Sequence, residues 1–95
     1  MNLTDFKSSL ATQAPPKSAS VYLAALWYDA KGDWQKAHEL IQDLPDSTAS
    51  GIHAYLHRKE GDNWNADYWY NKAGRKRPVL SLEEEWDDIA AELLK

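Results

Sequence analysis

Two ten-residue stretches decide the fold: Ala25-Leu26-Trp27-Tyr28-Asp29-Ala30-Lys31-Gly32-Asp33-Trp34 and Ala54-Tyr55-Leu56-His57-Arg58-Lys59-Glu60-Gly61-Asp62-Asn63. Each closes a helical pattern on a Gly-Asp pair. Glycine ends a helix because it enters the left-handed conformation without a Cβ clash, and the aspartate after it can cap the next helix. A displacement of 29 residues lays Ala25 on Ala54, Gly32 on Gly61, Asp33 on Asp62 and Ala37 on Ala66. It also carries the apolar spacing 37/40/41/44 onto 66/69/70/73. The coinciding residues are the small and turn-forming ones, where sterics leaves least choice. Two helix pairs of one design are expected.

Working outward, Ser18 or Ser20 can cap a first helix reaching about Lys31, with Tyr22, Leu23, Leu26, Trp27 and Ala30 on its apolar side. Ala37, Leu40, Ile41 and Leu44 form the stripe of the second, which Pro45 closes. The third runs from about Ser47 to Glu60 with Ala49, Ile52 and Leu56 on one face. The fourth carries Ala66, Trp69, Tyr70 and Ala73. After the Gly74–Pro78 loop, Ser81-Leu82-Glu83-Glu84 reads as a capping box opening a fifth helix with Leu82, Trp86, Ile89 and Leu93. No strand pattern occurs. Residues 1–17 hold a weak helical signal (Leu3, Phe6, Leu10) before Pro15-Pro16, and read as an arm and linker. The division is therefore 1–17, then one helical domain at 18–95, comprising a hairpin at 18–45, a second at 47–74 and a capping helix at 81–95.

Composition excludes several classes. The chain has 95 residues, enough for one core, and a net charge of −4. Without cysteine there are no disulfides, thiolate metal sites or cysteine nucleophiles. No apolar run approaches the roughly 20 residues that span a bilayer, and the first ten residues lack a signal-peptide pattern, which points to the cytoplasm. Lys72, Arg75, Lys76 and Arg77 form a basic knot, but six acids follow between Glu83 and Glu92. Those acids compete with phosphate, so nucleic acid is disfavoured and pairing of the two segments is expected. No nucleophile elbow, phosphate loop, dinucleotide fingerprint or calcium loop is present, and no cofactor is implied.

Ala25, Gly32 and Ala37, and again Ala54, Gly61, Ala66 and Pro78, resemble the tetratricopeptide repeat: a small residue in the first helix, glycine at the turn, alanine five residues later and a closing proline. The resemblance covers about residues 18–78 and implies a right-handed stack of helix hairpins that binds protein segments. The period departs from the family's roughly 34 residues, and Ala24 and His53 stand where a large aliphatic residue is usual. The stretches around Ala25–Trp34, His53–Gly61 and Tyr68–Tyr70 also look similar to small bacterial proteins, a likeness that carries no activity.

Three features carry chemistry. His53 and His57 lie one helical turn apart with Glu60 on the same side, and His38 faces them if the helix pairs pack as expected. Imidazoles and a carboxylate suit a metal or an acid–base site, although helical His-x-x-x-His also arises in ordinary cores. Second, five tryptophans and five tyrosines are dense for this length; Trp34, Trp64 and Tyr68 fall beside the core stripes, where a groove or interface would use them. Third, the 29-residue shift sets Asp29 on Arg58 and Lys31 on Glu60, so salt bridges between the units are expected.

These readings lead to an interaction module that binds a protein or peptide in an aromatic- and histidine-lined groove. Its expected contacts are Tyr22, Tyr28, Asp29, Tyr55, His57 and Arg58, with Leu26 on the same concave surface. Tyr28 and His57 would form the floor, and Asp29 and Arg58 the rim. The other reading is a small-molecule- or metal-binding protein, or an enzyme, built on His38, His53, His57 and Glu60. Two hairpins fall short of the roughly three repeats such arrays need, so either the last helix caps them or a homodimer interface does.

Overall fold

The computed structural model describes all 95 residues. The chain is all-helical: α1 (Leu3–Ser8) with a 3-10 turn at Ser9–Ala11, α2 (Val21–Ala30), α3 (Trp34–Ile41), α4 (Ser47–Lys59), α5 (Asn63–Lys72) and α6 (Leu82–Leu93). Each α-helix begins on a side chain that accepts a hydrogen bond from the backbone N–H three residues on. The caps are Asn2, Ser20, Asp33, Asp46, Asp62 and Ser81, and Glu84 completes a capping box at α6. Each cap contributes about 1 kcal/mol.

The repeated turns match bond for bond. Gly32 and Gly61 have φ of 86° and 85°. Asp33 N–H donates to the Tyr28 carbonyl and Asp62 N–H to that of His57, both one bond outside the helical ladder. Ala25, Ala37, Ala54 and Ala66 are fully buried, so helix axes approach closely where no larger side chain intervenes.

α2 packs against α3, and α4 against α5, while α4 also touches α2, α3 and α6. The consequence for α4 is unusual. Every residue from Ala49 to His57 is buried, so a helix read as amphipathic is enclosed on all sides. Its polar residues Ser50, His53 and His57 are therefore interior.

The amino-terminal segment belongs to this core. Phe6 is fully buried and stacks on Trp86 at 5.7 Å. Trp27 Nε1 donates to Ser9 Oγ, and Lys31 Nζ donates to the carbonyls of Leu10 and Thr12. α6 closes the other side, with Trp86 Nε1 donating to the Leu26 carbonyl. No helix is long and apolar enough to cross a membrane.

Candidate functional site

α3 and α4 bring three imidazoles together. His53 and His57, one turn apart on α4, lie nearly parallel with ring centres 4.8 Å apart. His38 on α3 stands across them at 4.7 and 5.4 Å, steeply inclined to both. His38 Nε2 and His53 Nε2 are 2.9 Å apart, so one ring donates its N–H to the lone pair of the other. His57 Nδ1 lies 2.5 Å from Glu60 Oε1 and donates its hydrogen to it. Two indoles wall the cluster: Trp34 stacks on His38, and Trp69 on His53 at 3.9 Å. Trp34 is itself tied down by its Nε1–H, which donates to the Leu56 carbonyl.

This setting disfavours protonation. Burial, reinforced by the facing His38 and His57, pushes the His53 pKa down to about 4. Burial and His57 also lower that of His38, against partial opposition from Glu60, Asp43 and Glu39. His38 and His53 are thus neutral near pH 7. In acid, the unfolded chain takes up a proton at His53 from about pH 6.5 downward, while the folded chain resists until about pH 4. Stability is therefore full above pH 6.5 and falls as the pH drops. Urea denaturation of the chelator-treated protein should show about 2 kcal/mol lost between pH 7 and pH 5 through this group. His53→Gln should flatten that slope; an unchanged slope would show that other groups govern it.

Elsewhere two buried carboxylates are each held by a tyrosine and a cation. Asp29 accepts from Tyr55 Oη at 3.0 Å and from Lys59 Nζ at 2.9 Å. Glu85 accepts from Tyr70 Oη at 2.6 Å and from Arg58 Nη1 at 2.8 Å, while Arg58 Nη2 donates to the Leu80 carbonyl. Burial first, and then the carboxylate charge and hydrogen bond, raise the pKa of both tyrosines. Both remain proton donors at physiological pH.

These pairings correct the expected ones. Asp29 does not meet Arg58, nor Lys31 Glu60: Lys59 takes Asp29, Glu85 takes Arg58, and His57 takes Glu60. The basic knot does not pair with α6 either; Arg77 bonds Asp67 on α5. Of the six expected contact residues, only Asp29 and Tyr55 come together. They line a hollow of about 580 Å³ with Lys7, Leu10, Lys59 and Trp86. Arg58 is turned to Glu85, and His57 to the imidazole cluster. Tyr28 lies under Lys36. Tyr22 sits by Asp46, whose carboxylate holds the tyrosine pKa above its usual value. A shared concave surface with Asp29 and Arg58 at its rim is absent, because Leu26, Asp29 and Tyr55 are interior. The four candidate metal residues, His38, His53, His57 and Glu60, do converge.

A last surface is the outer side of α5. Trp64 is 81% exposed and Tyr68, one turn on, 49% exposed. Lys72 lies over Tyr68 and over Trp69, the indole that stacks on His53. Comparison with protein-family models, curated proteins and solved structures finds no match for this chain.

Proposed function

We propose that the chain is a protein-interaction module built from two tetratricopeptide-like units, α2–α3 and α4–α5, that binds a partner segment along the outer side of α5. Support for the units comes from the duplicated Gly-Asp turns and the four fully buried alanines at equivalent positions. The observation that carries the binding surface is Trp64. An indole left 81% exposed forgoes on the order of 4 kcal/mol of burial, and Tyr68 extends it into an aromatic strip. Tryptophan and tyrosine are the side chains that dominate protein contacts, having large area and few rotors.

Charge narrows the partner. Lys72 lies over Tyr68 and Trp69 and makes no ion pair, and Arg77 reaches Asp67 of α5 at the surface. A segment with an apolar side chain flanked by Asp or Glu fits such a strip. The six acids of residues 81–95 oppose a polyanion, so the partner is protein and not nucleic acid.

Selection from a displayed peptide library should enrich acidic sequences bearing Leu, Phe or Trp. Trp64→Ala with Tyr68→Ala should weaken them by at least roughly 30-fold, since each lost hot spot is worth about 1–2 kcal/mol. Folding stability should change by less than about 1 kcal/mol, because both side chains are exposed. Enriched peptides that bind the double variant equally would defeat the proposal. So would preferential binding of single-stranded oligonucleotides, or a concentration-dependent homodimer that Trp64→Ala dissolves.

A further inference from the structure

We propose that His38, His53 and His57 form a three-imidazole site for one divalent first-row transition ion of the zinc class, with Glu60 orienting His57. A hydrogen-bonded pair accounts for His38 and His53 alone. The third ring is not part of that bond, yet one nitrogen from each of the three rings lies within 4.8 Å of the other two.

The geometry is close to what an ion requires. Zinc binds imidazole nitrogen at about 2.0–2.1 Å, which places two nitrogens of a tetrahedral site about 3.3–3.4 Å apart. His38 Nε2 and His53 Nε2, at 2.9 Å, need to part by a few tenths of an ångström. His57 offers a nitrogen within 4.8 Å of both and has to come closer to share an ion with them. Two of the ligands come from one turn of one helix, so their spacing is set by the backbone.

The surroundings also suit a metal. Glu60 accepts the His57 Nδ1 hydrogen, which leaves the lone pair on Nε2; carboxylates behind histidine ligands commonly play this part. Trp34 and Trp69 hold the planes of His38 and His53 by stacking, so the rings are oriented before an ion arrives. Neutral nitrogen donors without thiolate favour zinc, nickel, cobalt or copper(II), and exclude magnesium and calcium, which take oxygen ligands. Three protein ligands leave a fourth position for water or a small anion, on the side of half-buried His38.

A neighbouring set, His57, Glu60 and Asp62, also lies within coordinating distance, and the experiment must separate the two. Tag-free, chelator-stripped protein is titrated with zinc chloride by calorimetry against a competing chelator, and with cobalt(II) by visible spectroscopy. One ion per chain, bound at micromolar concentration or tighter, with the intense visible bands of four-coordinate cobalt, is expected. His38→Gln and His57→Gln should each weaken zinc by roughly 100-fold, and Glu60→Gln by about 10- to 100-fold. Asp62→Asn should change nothing. His38 is the primary variant because it is only half-buried; its circular dichroism and melting curve establish that it folds. Four results would each overturn the site: millimolar binding, several ions per chain, His38→Gln binding like wild type, or loss of binding in Asp62→Asn.

Discussion

A chain ended at Pro78 will not fold cooperatively. α6 supplies Trp86, Ile89 and Ala90 to the main core, together with the Phe6 stacking partner and the indole hydrogen bond to Leu26. Losing a buried tryptophan costs about 3–5 kcal/mol, and a buried isoleucine about 2–5 kcal/mol. Removal of Glu85 also strips Arg58 and Tyr70 of their shared carboxylate. Against this, a domain of 95 residues holds only about 5–14 kcal/mol in total. The 1–78 fragment should show weak helicity, no sharp urea transition and poorly dispersed amide resonances. A sigmoidal, reversible transition in that fragment would mean that the two helix pairs suffice alone.

Arg58→Ala is expected to be the most damaging single replacement of a charged residue. The Glu85 side chain is 5% exposed and Arg58 is its only cation. Removing the guanidinium leaves a buried carboxylate supported by the Tyr70 hydroxyl alone, and breaking a buried pair from one side costs about 3–5 kcal/mol. The Leu80 carbonyl loses its donor as well, which loosens the entry into α6. Replacing the whole set by apolar residues, Arg58→Met and Glu85→Leu with Tyr70→Phe, should recover most of the loss, because neither a charge nor the Tyr70 hydroxyl then stays buried without a partner. Urea melts of the two variants and wild type make the comparison. A single-variant cost below about 1 kcal/mol would show that Glu85 is not dependent on the pair. A large cost would also explain why Arg58 is a poor candidate for a ligand contact.

The places where sequence reading and structure part company share one origin. Ala49, Ile52 and Leu56 mark one face of α4 by their spacing, and that face is buried. The spacing says nothing about how many neighbours a helix has, and α4 touches four. Ser50, His53 and His57, on its remaining faces, are drawn inside by α2, α3, α5 and α6. The amino-terminal arm followed the same logic: the weak signal of Leu3, Phe6 and Leu10 marks a short helical arm, and only the packed structure sets Phe6 against Trp86. The pairing of Asp29 with Arg58 failed because sequence equivalence between units is not spatial opposition. Lys59, one residue on, points to α2, whereas Arg58 points to α6.

By itself the sequence determined the helical class, the turns at Gly32 and Gly61, most of the helix caps, and the placement of His53 and His57 one turn apart. Each of these depends on interactions within a few residues of chain, where sterics and hydrogen-bond geometry are local. Tertiary structure alone decided that α4 is enclosed, that Arg58 serves Glu85, that Trp34 and Trp69 sandwich two of the imidazoles, and that Trp64 is left outside. Those outcomes depend on distances between helices, which packing sets through side chains 15 to 60 residues apart in the chain.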